Sequence, residues 1–207
     1  MAVPSLYRAE AQTSGGNPAE LETGEPPAAL RDAEALCQLV RDHYVYLEAR
    51  KDVWAATCEA AKTEALAPAA ETPGGHLSLL ESMLDQLWDN HISLDVNSPR
   101  SPRLVPSGSD YWLDFAGGSA VVEAVRPGSG AAAAGVAIGD RVMAINGVSV
   151  LSAATDRIRH GREQVSEARL IWALNAQGAG FRGEPRSVTL ARDGAEVTLA
   201  LGDPEPE

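Results

Sequence analysis

Asp89, His91 and Asp95 set an imidazole between two carboxylates in the stretch Asp89-Asn90-His91-Ile92-Ser93-Leu94-Asp95. A carboxylate-oriented imidazole is the general base that activates a serine hydroxyl in hydrolases, and imidazole with carboxylates is also a ligand set for a metal ion. The rest of the sequence completes neither. A serine nucleophile is expected on a strained Gly-x-Ser-x-Gly turn with oxyanion donors beside it, and no such elbow occurs. A metal site built on His91 and Asp95 lacks a third ligand at workable spacing, and His76 and His160 stand in polar surroundings. Cys37 and Cys58 without paired histidines do not make a zinc site. No catalytic residue, metal or cofactor is therefore assigned. His91 is expected to be structural, its ring bonding a backbone group where a helix meets a strand. His43 is expected to be a core histidine on the apolar face of a helix.

Composition narrows the partners. A chain of 207 residues with 44% hydrophobic content can bury the core of one or two domains. A net charge of −12, with Lys51 and Lys62 the only lysines, speaks against nucleic acid, because phosphate neutralisation needs a basic face. No apolar run reaches the roughly 18 residues that mark a membrane-spanning helix. Met1 to Ala28 lacks the charged-then-apolar pattern of an export signal, which leaves the compartment open.

The elements that position these residues follow from periodicity. Residues 1–27 are rich in Gly, Pro, Ser, Thr and Glu and read as a mobile leader. Residues 28–96 read as a small helical bundle. Leu36, Leu39, Val40, His43, Tyr44 and Leu47 form the stripe of a first helix ending near Arg50. Asp52 caps a second that turns Val53, Trp54, Thr57, Cys58, Ala61 and Ala65 inward, and Leu77, Leu80, Leu84, Leu87 and Trp88 mark a third. Cys37 and Cys58 read as two small buried hydrophobes, with a bridge between packed helices as the alternative in an exported chain. Ile92, Leu94 and Val96 alternate with polar residues and predict a strand.

Residues 97–107 read as a Pro- and Ser-rich linker, and 108–202 as a second domain. Its centre is a strand from Ala120 to Val125, a Pro127-Gly128 turn, a helical turn from Ala131 to Ala134 stopped by Gly135, and a strand from Arg141 to Ile145 closed by Asn146-Gly147. A long helix is expected from about Ala153 to Gln177, then a hairpin turning at Asp193-Gly194. Residues 203–207 are an acidic tail. The fold class is α+β, a helical bundle followed by a β-sandwich or partly open barrel with helices.

Gly135, Gly139, Asp140, Asn146 and Gly147, with Val142, Ile145 and Val150 between and after them, resemble the core signature of a bacterial PDZ domain. With Asp89-Asn90-His91-Ile92-Ser93-Leu94 at the end of a helical region, the order is similar to the N-terminal half of the tail-specific, C-terminal processing serine peptidases. Leu104 to Trp112 and Ala168 to Ala173 look like stretches of a subgroup of that family, and the resemblance covers residues 30–202. Members are commonly found in the cell envelope or periplasm.

What the resemblance implies is peptide binding without chemistry. The family's carboxylate-receiving loop would correspond to Ser107, Gly108 and Ser109, the peptide-pairing strand to Tyr111, Trp112 and Leu113, and the opposite wall to Leu170, Ile171 and Leu174. Asp110 in that loop would repel a carboxylate, which puts an internal or apolar peptide beside a C-terminal tail as ligand. The family's serine and lysine lie in a larger domain after the PDZ module. Here the only serines before Lys51 are Ser5 and Ser14, so that dyad is not expected from this chain. The expected function is a PDZ module for protein or peptide segments, the non-catalytic recognition part of a truncated or split peptidase-like protein. The alternatives are part of an active serine peptidase completed by a separate catalytic chain, and a scaffold or dimerisation protein.

Overall fold

The structure is a computed structural model and describes residues 25–161 and 165–202. The leader to residue 24, the acidic tail and residues 162–164 of the expected long helix lie outside them.

Three helices form the first layer. α1 (Ala28–His43), α2 (Lys51–Glu64) and α3 (Pro73–Asp85) are joined by short 3-10 turns at Leu47–Arg50 and Pro68–Glu71. Thr72 caps α3, its hydroxyl accepting the Gly75 N–H at 3.1 Å, and Pro73 at the first helical position needs no partner for a missing N–H. The bundle core is small-residue rich: Ala29, Ala33, Leu36, Cys37 and Val40 of α1 meet Trp54, Cys58 and Ala61 of α2 and Leu79, Met83 and Leu84 of α3. Alanines allow close helix approach, so the inward face of α1 lies one step round from the expected stripe. Leu39 and His43 are exposed, and the core-histidine expectation for His43 is corrected accordingly.

Two further expectations change here. Cys37 and Cys58 are joined in a disulfide rather than packed as free thiols, because the facing surfaces of α1 and α2 bring their Cα atoms to 5.9 Å. Residues 92–96 form no strand: Trp88 and Asp95 take positive φ (38° and 56°), which breaks the extended run, and Ile92 and Leu94 cover the bundle core instead.

The second layer is a six-stranded antiparallel sheet that does not close on itself. β1 (Tyr111–Ala116), β2 (Ser119–Val125), β3 (Arg141–Ile145), β5 (Arg186–Arg192) and β6 (Ala195–Leu201) follow in the order β1-β2-β3-β5-β6, with β4 (Val148–Ser149) beside β3. The turns follow their residues: Asn146-Gly147 (φ 50°, 76°) leads from β3 into β4, and Asp193-Gly194 (φ 50°, 79°) joins β5 to β6. α4 (Gly130–Ala134) ends at Gly135, whose φ of 86° makes the left-handed cap that a side chain would strain. Leu113, Val122, Val142, Val188 and Leu190 from the sheet pack with Ile158 and Leu174 from the helical side.

The expected long helix is two. α5 (Val150–Arg157) stops where Ile158 turns extended, and α6 (Glu167–Ala179) restarts under a new cap, the Ser166 hydroxyl accepting the Arg169 N–H. The break lets the Arg159 N–H reach the Gln86 side chain of the bundle at 3.0 Å, a contact that one continuous helix could not make.

Cross-linking residues 21 apart restricts the unfolded chain by about 3 kcal/mol. Reduction, or Cys37→Ala with Cys58→Ala, is expected to lower the thermal midpoint of the bundle while the unreduced denatured protein titrates no free thiol; an unchanged midpoint on reduction would contradict this.

Candidate functional site

β1 pairs with β2 along one edge, and α6 lies along the other. The backbone of Leu113 faces α6, where it meets a side chain rather than a strand. Asn175 accepts the Leu113 N–H on Oδ1 at 2.7 Å, donates from Nδ2 to the Leu113 carbonyl at 2.8 Å, and also donates to the Ile171 carbonyl at 2.9 Å. A buried amide on a helix is costly unless its hydrogen bonds are met, and at 1% exposure Asn175 meets three. The helix comes this close because residue 178 is glycine: a Cβ there would stand 3.0 Å from the Tyr111 hydroxyl.

The wall residues divide by depth. Leu174 and Leu113 are wholly buried, while Leu170 and Ile171 are half-buried along the outer side of α6. Tyr111 turns into the sheet core, whereas Trp112 turns the other way and packs on Val105, Ala176 and Ala179. In the preceding loop Ser107 is exposed, Gly108 donates its N–H to the Leu104 carbonyl at 2.6 Å, and Ser109 donates to the Pro106 carbonyl at 3.0 Å. Asp110 does not face the groove as a free charge. Its Oδ2 is 2.9 Å from Arg186 Nη2 and accepts the Ala131 N–H at 3.3 Å, with both side chains of the ion pair almost wholly buried. The repulsion expected of Asp110 is thus neutralised by an arginine distant in sequence.

The PDZ domain family profile matches residues 121–166, which span β2 to the approach to α6. This chain carries a PDZ domain. Solved structures with a similar fold include mature CPAF complexed with lactacystin (TM-score 0.56, 13% identity, 84% of this chain and 34% of that one). Mature CPAF alone (TM-score 0.56, 14% identity, 83% and 34%) and a serine-to-alanine variant of CPAF (TM-score 0.53, 14%, 83% and 33%) are also similar. The chain therefore spans about a third of the length of these proteins. At such identity the likeness concerns the fold alone. No curated protein sequence matches the chain.

Within the PDZ domain the signature residues hold turns. Asp140 accepts the Ala137 N–H at 2.8 Å and pairs with Arg192, whose Nη2 also donates to the Gly135 carbonyl at 2.7 Å. The motif from Gly135 to Asp140 is in this way tied to the end of β5. Hydrogen bonding from Arg192 outweighs burial and holds the Asp140 carboxyl below its ordinary value.

His91 differs from its expected role. Its ring is 91% exposed and bonds no backbone group; Nδ1 lies 2.8 Å from Asp89 Oδ1, which also accepts the His91 N–H at 2.9 Å. The partly buried member is Asp89, which also takes the Tyr44 hydroxyl at 2.7 Å. Burial would raise its carboxyl, but the His91 and Tyr44 hydrogen bonds more than offset this and hold it below the usual range. Burial and the bond to Asp89 push the Tyr44 phenol well above its ordinary value. Among the described residues, no group of three or more His, Cys, Asp or Glu side chains could hold a metal ion.

The PDZ domain is bolted to the bundle through α5 and α6. Arg157 pairs with Asp85 (Nη2 to Oδ1 2.8 Å, Nε to Oδ2 2.5 Å), and Arg159 reaches Glu64. From α6, Trp172 Nε1 donates to Asn90 Oδ1 at 3.0 Å, and the Arg169 guanidinium lies 4.4 Å from the Trp88 ring centre. Asn175, Arg169 and Arg186 escaped sequence reasoning. Their signal was a polar residue at apolar spacing in α6 or opening a strand, which shows only once the facing element is known.

The carboxylate of Asp140 has a native pKa below that of an unfolded aspartate, about 3.9. Its contribution is then fully present above that value and disappears as pH falls through the native one. Asp140→Asn is expected to cost on the order of 1 kcal/mol at neutral pH, because solvent around the partly exposed Arg192 screens the pair. In urea melts the difference from wild type should shrink as the pH falls below the ordinary aspartate value, and a deficit that persists undiminished in acid would contradict this.

Proposed function

We propose that the chain is a peptide- and protein-binding PDZ module that serves as the non-catalytic, substrate-recognition part of a tail-specific serine peptidase-like protein. An extended peptide adds as a strand to the outer edge of β1, main-chain bonds to Leu113 give affinity, and Leu170, Ile171 and Leu174 receive an apolar side chain. Residues 107–109 lie where the terminal carboxylate is received. The observation that carries this reading is the outer edge of β1, with both backbone groups of Leu113 directed at a side-chain amide rather than a strand. Support also comes from the order of helical region and PDZ domain, and from the fold likeness to a third of CPAF. The burial of Asp110 against Arg186 removes the charge that would disfavour a C-terminal carboxylate.

The helical bundle, in this reading, fixes the orientation of the groove relative to whatever acts on the bound tail. The catalytic groups belong to a larger domain, in the same protein or on a separate chain.

Fluorescence anisotropy with labelled peptides bearing free or amidated apolar C-termini tests the proposal. Binding is expected to require the free carboxylate, and Ile171→Asp, which sets an unpaired charge on the apolar wall, is expected to weaken it by about tenfold or more. Equal binding by the variant would contradict the assignment of this groove.

A further inference from the structure

The groups that a peptide must use on β1 are already in use. A side-chain amide carries the same donor and acceptor as a backbone amide, and Asn175 gives both to Leu113, with N···O distances of 2.7 and 2.8 Å. That pair of bonds is the one an antiparallel partner residue would make. The space is taken as well. Strands pair about 4.8 Å apart, whereas Leu113 and Leu174 are wholly buried and Gly178 lies against Tyr111. A strand therefore enters only if α6 moves outward.

The helix is held from the far side. Trp172 is bonded to Asn90, and Arg169 lies over Trp88, a ring that Arg50 of the bundle also covers at 4.7 Å from its centre. Arg169 further donates to the carbonyls of His160 (2.7 Å) and Gly161 (3.2 Å), which ties those two residues to α6. Positions 169, 172 and 175 thus join the bundle to the groove through one rigid helix.

We infer that the PDZ groove is self-occupied, with Asn175 holding the place of a peptide amide, and that the bundle keeps it closed by gripping α6 through Arg169 and Trp172. The inference rests on the peptide-binding reading above. Because coupling of this kind is reciprocal, a peptide that opens the groove loosens α6 from Trp88 and Asn90, so the bundle senses that the groove is filled.

Two variants test it, each checked for folding by circular dichroism. Asn175→Ala leaves Leu113 unpaired in the free protein, and a peptide that restores those bonds is expected to bind about tenfold tighter than to wild type. Trp172→Phe keeps an aromatic side chain while removing the bond to Asn90 and part of the indole's packing area; it is expected to bind severalfold tighter and to speed hydrogen exchange of the Leu113 amide. Measurable binding of equal strength in wild type and both variants would overturn the latch while leaving the peptide site standing. No binding by any of the three would overturn the peptide site. In that case the Leu113 amide decides the latch: faster exchange in Trp172→Phe supports the grip of the bundle on α6, and unchanged exchange overturns it.

Discussion

Two hydrogen bonds between the Asn175 amide and the backbone of Leu113 join a helix to the edge of a sheet, and much of the remaining structure keeps that contact in register. An exposed edge strand is a hazard because its unpaired groups template pairing with any extended chain. A PDZ fold needs such an edge for its ligand. Here the edge is covered by a side-chain amide with the donor and acceptor of a peptide group, so in the proposed reading protection and recognition depend on the same atoms. The half-buried Leu170 and Ile171 lie beside it on the same helix, and the wholly buried Leu174 beneath.

The register depends in turn on two charge pairs, one wholly buried and one partly exposed. Arg186 holds Asp110 directly before β1, and Arg192 holds Asp140 directly before β3. Both arginines come from the two ends of β5. Neither pair need add much net stability over apolar residues of the same shape, because desolvation offsets much of the attraction. The Asp110–Arg186 pair does make one arrangement of loop and strand much better than its neighbours, since a slip of one residue leaves a charge buried and alone. Arg157 and Asp85 act similarly at the seam between the helical and sheet layers.

The sequence is most legible where a local chemical rule suffices. The left-handed cap at Gly135, the Asn146-Gly147 and Asp193-Gly194 turns and the Thr72-Pro73 helix start need only their own residues. It fails where a distant element decides. Ile92, Leu94 and Val96 have the alternation of a strand, yet with positive φ at Trp88 and Asp95 the segment is a loop in which Ile92 and Leu94 cover the bundle and Val96 is exposed. The helix expected to cross residue 158 breaks because the bundle offers Gln86 to the Arg159 amide. The resemblance points to Leu170, Ile171 and Leu174, but Asn175, one position on, is visible as the partner of the β1 backbone only when Leu113 is placed opposite it.

The most direct test of strand addition at β1 is an NMR titration of the isotope-labelled protein with an apolar peptide carrying a free C-terminus. Addition at this edge is expected to concentrate shift changes on the amides of 107–116 and on α6, with peptide-to-Leu113 contacts across the new strand pair. Changes confined to the opposite edge of the sheet at β6, or spread without pattern over the bundle, would contradict the groove assignment.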